Sequence, residues 1–184
     1  MLSEVEFYNT PEGDVMVKRA GKPVVQLVQN DRALIQEVLA MVRDLYPEAF
    51  KRLSELYTLY ERNRIYYEFM MVSRFIRCNF GEYDQNRYDM DADGCLKFEE
   101  VRCPLRGECR EECVVCKPKL DTKLTARETE VLECIGRGLQ ASDIADELCI
   151  SIATVNRHRE NLKAKLGLRS VGQLVRYYYE QVKK

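Results

Sequence analysis

The chain has 184 residues, 46% hydrophobic and 32% charged, which supports a buried core and excludes a disordered or membrane-dominated protein. Lys and Arg number 29 against 30 Asp and Glu, and the resulting formal charge of −1 argues, taken whole, against a strongly basic nucleic-acid binder. Eight cysteines and a single histidine, His158, mean that any metal site rests on thiolates and carboxylates. The first residues lack the basic and apolar regions of a signal peptide. No apolar run approaches the roughly 18 residues of a membrane span. The expectation is a cytoplasmic protein with no membrane partner, in which clustered cysteines stay reduced and hold metal.

Residues 4–28 alternate apolar and polar and are cut at Pro11-Glu12-Gly13 and Gly21-Lys22-Pro23, which predicts two or three short antiparallel strands, a hairpin or meander. Residues 31–77 read as helices. Leu34, Ile35, Val38, Val42 and Leu45 share one face, and Pro47 suits the first turn of a following helix. Phe50, Leu53, Tyr57, Tyr60, Tyr67 and Met71 then fall near heptad spacing, over a length that permits one long helix or two broken near Asn63. This tyrosine-rich stripe is expected to be core or a dimer seam. Residues 1–77 are thus expected to form an N-terminal domain of strands plus helices.

Residues 78–120 lose helical periodicity and carry six of the eight cysteines, which predicts a cysteine-rich, metal-binding connector ending near Lys117-Pro118-Lys119. Cys103, Cys109, Cys113 and Cys116 are spaced C-x5-C-x3-C-x2-C, with Cys78 upstream able to replace Cys113 in a set of four. Four thiolates satisfy tetrahedral zinc, and the same donors suit an iron–sulfur cluster; zinc is the first expectation. Cys113 and Cys116 also form the C-x-x-C of a thiol-disulfide oxidoreductase, but without the strand–helix context of such a site. Just upstream, Asp89, Asp91, Asp93, Gly94 and Glu100 resemble an EF-hand calcium loop. There the three aspartates would offer single oxygens, Cys95 its carbonyl and Glu100 a bidentate closure. Lys97 is a poor neighbour for a cation, and the flanks do not read as helices. The alternative is an Asx-rich turn whose carboxylates cap local backbone.

Residues 121–184 give the clearest pattern. Thr125 and Glu128 form a capping box ahead of the apolar stripe Val131, Leu132 and Ile135, with Gly136 and Gly138 ending that helix. Ala141, Ile144, Ala145 and Leu148 mark a second helix. A turn at Cys149-Ile150 leads to Ser151, the N-cap of a third. Ser170 and Gln173 cap a fourth, with Val171, Leu174, Val175 and Tyr178 on one face. Four short helices with a tight turn between the second and third predict a helix-turn-helix module. Its third helix carries Arg157, Arg159, Lys163 and Lys165 against Glu160 alone, and such a helix fits the DNA major groove. Cys134 and Cys149 are expected to be small hydrophobes of this core.

The segments LTARETEVLECIGRG, DIADELCIS and TVNRHRENLKAKLGL resemble the LuxR-type DNA-binding domain over residues 124–179. The resemblance implies a dimeric transcriptional regulator. Thr154, Asn156 and Arg157 would touch DNA at the start of the third helix (151–166), and His158 matches the family's histidine. Arg157 would be the guanine reader, Glu160 an acceptor from cytosine, and Lys163 and Lys165 would lie along the backbone. Val171, Leu174, Val175 and Tyr178 would be the dimerisation face. Gln140 departs from the family's small hydroxyl cap, and Asn156 and Glu160 stand where basic residues are common. LuxR-type domains often follow a phosphoacceptor receiver, but residues 1–120 lack that alternating α/β pattern.

The expected protein is therefore mainly α, with a small N-terminal sheet, a cysteine-rich connector and a four-helix C-terminal domain. It is expected not to be an enzyme. Its partners would be double-stranded DNA, a second copy of itself and RNA polymerase, while residues 1–120 sense a signal or recruit a partner. The competing reading is a protein-interaction module that does not bind DNA. The charge distribution favours the first: residues 121–184 carry 11 basic and 9 acidic residues, leaving −3 on residues 1–120.

Overall fold

Alternating apolar residues pair the N-terminal segment into an antiparallel sheet. Strand β1 (Val5–Asn9) runs against β2 (Val15–Arg19) with Phe7 opposite Val17, and β3 (Val25–Gln26) adds to the other edge of β2. Val5, Phe7, Val15 and Val17 are buried on one face of this sheet. The computed structural model describes residues 4–83, 88–90 and 96–182, and the chain divides into two units, residues 2–120 and Asp121–Lys184.

In the first unit, α1 (Arg32–Leu45) buries Leu34, Ile35, Val38, Val42 and Leu45, and α2 (Pro47–Leu56) starts at Pro47 and buries Leu53. A single helical turn (Thr58–Tyr60) separates it from α3 (Arg64–Asn79). The Asn63 side chain stops any continuous helix here by accepting the Tyr66 amide at 3.2 Å, an N-cap that starts α3 afresh. The heptad stripe is divided accordingly. Leu53 and Met71 reach the core, while Tyr60 is exposed beside Tyr66. Met71, Val72, Phe75 and Ile76 are the buried face of α3.

The cysteine-rich segment belongs to this unit and does not form a body of its own. Three contacts tie it down. Val5 and Met90 exchange backbone hydrogen bonds of 3.1 and 3.0 Å, extending the free edge of β1. Phe98 packs among Tyr46, Phe75 and Phe80 at centroid distances of 5.2 to 5.9 Å. Asn79, wholly buried, donates to the carbonyls of Phe75 and Val115 and accepts the Lys117 amide at 2.7 Å.

The second unit comprises α4 (Ala126–Gly136), α5 (Ala141–Glu147), α6 (Ile152–Leu166) and α7 (Val171–Tyr177), followed by a wider turn, Tyr178–Val182. Val131, Leu132, Ile135, Ile144, Val155, Leu162 and Leu174 form its core. The predicted caps are present, with Thr125, Ser151 and Ser170 each accepting an amide three residues on. With seven helices and one small sheet among the described residues, the protein is mainly α, as the sequence predicts. As the sequence predicts, α4 ends at Gly136, on which the Tyr178 ring packs so closely that a Cβ would run into it. One local feature differs from expectation. Cys149 is exposed rather than core, because it supplies the left-handed residue (φ +53°) that turns the chain from α5 into α6.

Two substitutions check these constraints by chemical denaturation. Gly136→Ala should destabilise the second unit by about 1–3 kcal/mol despite its helix propensity, through overpacking against Tyr178. Cys149→Gly should stabilise it by roughly 1 kcal/mol, because glycine carries no Cβ penalty at positive φ.

Candidate functional site

The two helices that define the second unit's functional geometry are joined by three residues, Leu148, Cys149 and Ile150, before the Ser151 cap. The turn is closed by the Ile150 amide on the Ala145 carbonyl at 2.9 Å. Arg127 of α4 grips its entry through a hydrogen bond to the Leu148 carbonyl, and Arg137 pairs with Glu147. At the start of α5 the Asp143 carboxylate accepts the Gln140 amide at 3.1 Å, so the missing hydroxyl at position 140 is compensated from the third residue of the helix.

Helix α6 buries Val155 and Leu162 against the core and leaves Thr154, Asn156, Arg157, His158 and Arg159 half-buried along its first half. The Thr154 hydroxyl also meets Ser151 Oγ at 2.8 Å, fixing the first turn. Further along, Glu160 pairs with Lys163 at 2.7 Å, so the acidic residue neutralises a cation on its own helix.

Lys165 departs from expectation. Its ammonium is fully buried, donating to Glu128 Oε2 at 3.0 Å and to the Lys123 carbonyl at 3.1 Å. A side chain consumed in this way cannot lie along a phosphate backbone, so Lys165 leaves the DNA-contacting set and becomes a structural cation. Glu128 is equally buried, accepting from the Thr125 amide at 2.8 Å as well.

Residues 122–178 match the family described as bacterial regulatory proteins, luxR family. This segment is a LuxR-family helix-turn-helix domain. Among curated proteins, the oxygen regulatory protein NreC of Staphylococcus aureus, strains JH9, JH1 and Mu3, is 41% identical over 54 residues. Those residues are 29% of this chain and 25% of the relative, so the chain spans about a quarter of the length of the curated relatives it matches. No solved structure matches the chain. The LuxR-type domain accounts for the second unit and says nothing of the first. Among the described residues no helix is long and apolar enough to cross a membrane.

Of the residues expected to dimerise, Leu174 is fully buried in the LuxR-type domain's own core, and Val171, Val175 and Tyr178 are half-buried against that same cluster. Leu174 thus serves the fold of one chain, and Gln173 and Arg176 of α7 are exposed.

In the first unit, Cys78, Cys103, Cys109 and Cys116 line one cavity of about 390 Å³. Cys113 is exposed at φ +61° and does not line it. Cys78 comes from α3, with Arg74 one turn before it and Arg77 immediately before it. The other three cysteines come from a loop held by Asn79 and by a two-pronged bond from Arg52 to Glu111, both contacts at 2.7 Å. That guanidinium holds the Glu111 carboxyl below the usual carboxylate range. Burial pushes the Cys78 and Cys116 thiols up. The arginines around the cysteines were not singled out by sequence reasoning, although the i, i+3, i+4 spacing of Arg74, Arg77 and Cys78 was there to read.

Of the calcium-loop residues, Asp91, Asp93 and Cys95 lie outside the described residues. Asp89 is buried, accepts the Phe7 amide at 2.6 Å, and groups with Glu6 and Glu99. Glu100, the expected bidentate closure, is exposed and faces Lys117 at 3.7 Å.

The buried ion pair gives a prediction that separates structure from DNA contact. Lys165→Ala should lower stability by about 3–5 kcal/mol, since Glu128 is left charged and unpaired. Lys165→Met combined with Glu128→Leu should recover most of that loss, as read from thermal unfolding of single and double variants.

Proposed function

We propose that the chain is a sequence-specific DNA-binding transcriptional regulator that acts as a homodimer and reads the major groove with the first half of α6. The observation that carries this is the α5–turn–α6 arrangement within the LuxR-family segment, which presents Asn156 and Arg157 just after the Ser151 cap. Residues at the start of a recognition helix face base edges, while the preceding helix crosses the backbone. Arg157 is the guanine reader through O6 and N7, and Asn156 reads adenine or bonds a phosphate. Thr154 and His158 flank them. With Lys163 paired to Glu160 and Lys165 buried, Arg157 and Arg159 carry the positive charge of this helix. Dimerisation uses α7, through the half-exposed Val171, Val175 and Tyr178 and the neighbouring Gln173 and Arg176.

Selection of bound sequences from a random DNA pool with the full chain should enrich a two-fold symmetric site, bound by two chains in sedimentation. Arg157→Ala should cost about 1–3 kcal/mol on that site and relax the preference at one base pair per half-site. Affinity should fall linearly against log salt, as counterion release requires. Failure to enrich any sequence, with a third helix that instead captures protein in a salt-insensitive way, would leave an interaction module.

A further inference from the structure

Chains that merely carry many cysteines scatter them. Here four of the seven described cysteines, drawn from residue 78 of a helix and residues 103, 109 and 116 of a loop, line the same cavity. Their spread is informative. Zinc bonded to four sulfurs at about 2.3 Å draws those sulfurs to roughly 3.8 Å from one another. Among the described residues no three thiols lie mutually within 4.8 Å; the one group that close is the carboxylate set Glu6, Asp89 and Glu99. Four thiols that surround a space without converging on a point suit a polynuclear centre, in which each sulfur binds a different metal ion.

The wall of the cavity has a matching charge. Arg74 and Arg77 stand on the same face of α3 as Cys78, and their Nε atoms are shielded from solvent without a hydrogen-bond acceptor. Arg106 also lines the cavity, its guanidinium bonded to the Val101 carbonyl at 2.5 Å and 4.0 Å from Glu112. A shielded Nε–H without an acceptor is costly, and two of them beside the cavity call for an anionic occupant whose atoms accept hydrogen bonds. A thiolate-bound iron–sulfur cluster meets both demands, through its net negative charge and its sulfur acceptors.

The loop is also built to hold its cysteines in place rather than to present them. Gly107 takes φ +86° and its amide bonds Glu112 at 2.7 Å, while Cys109 and Cys116 donate their amides to Leu105 and Glu111. Asn79 and the Arg52–Glu111 clamp fasten this loop to the helices that carry Cys78 and the core.

From these observations we infer that Cys78, Cys103, Cys109 and Cys116 bind a [4Fe–4S] cluster, one thiolate to each iron, with Arg74 and Arg77 as donors to its sulfur atoms. The thiols release their protons as they bind. Cys113 takes no part. The inference concerns the first unit and is independent of the DNA-binding reading.

The test uses the full chain, expressed with iron and purified without oxygen, or reconstituted with ferrous iron and sulfide. About four iron and four sulfide per chain are expected, with a broad brown absorbance that bleaches on reduction. Single Cys→Ser changes at 78, 103, 109 or 116 should each strip most of the iron, and Cys113→Ser should retain it. Far-UV circular dichroism of each variant distinguishes cluster loss from failure to fold, and only folded variants are scored. Arg74→Gln and Arg77→Gln, with the cluster retained, should shift its reduction potential downward, because a neighbouring positive charge favours the more negative reduced state. Stoichiometric zinc without iron, two irons per chain, no metal after reconstitution, or a cluster lost in Cys113→Ser but kept in Cys78→Ser would each overturn the assignment.

Discussion

The helix-turn-helix unit hangs on one carboxylate. Glu128 closes the capping box at the start of α4 and, with the same side chain, accepts the ammonium of Lys165 from the last turn of α6. Both groups are out of water, so each depends on the other to justify its charge. The pair fixes α6 against α4 at its far end, while Val155 and Leu162 fix it along its length. Hydrophobic packing alone would tolerate sliding or rotation of a fifteen-residue helix. A directional pair at one end removes that freedom and so sets which residues face outward.

The first unit solves a comparable problem with neutral and exposed partners. Its loop of cysteines has little apolar content, with Val115 its one buried hydrophobe, so burial alone cannot order it. Asn79 orders it by meeting backbone groups on both sides of Cys116, and Arg52 by gripping Glu111 between Cys109 and Cys113. An unpaired backbone carbonyl in this interior would cost about 1–3 kcal/mol, so the Asn79 contacts are worth more than their number suggests. In each unit a buried polar side chain, Glu128 or Asn79, adds directional contacts that hydrophobic packing alone does not supply.

Much of this was legible in the sequence because the signals are local. Caps at Thr125, Ser151 and Ser170 and the apolar spacing of α4 to α7 depend on neighbours within one or two turns. The sheet was legible from alternation and its turn residues. What sequence could not supply is which side of an element faces which partner. Lys165 looks like a surface cation until Glu128, thirty-seven residues away, is placed beside it. Leu174 and its neighbours form an apolar stripe whether the stripe meets a second chain or its own core. Cys149 reads as a small hydrophobe until the turn demands a left-handed residue there. The choice among five cysteines was open for the same reason: spacing along a chain does not say which thiols a loop will turn inward.

The internal pairing of α6 has a consequence for how such a domain finds its target. Of the four cations that α6 formally carries, two are engaged within the chain, Lys163 by Glu160 and Lys165 by Glu128. Non-specific attachment to DNA is driven by just such charges. A helix with fewer available cations holds random sequence less tightly than the same helix with Lys163 and Lys165 unpaired would. Discrimination then comes from a weak grip everywhere else as much as from a strong one at the operator.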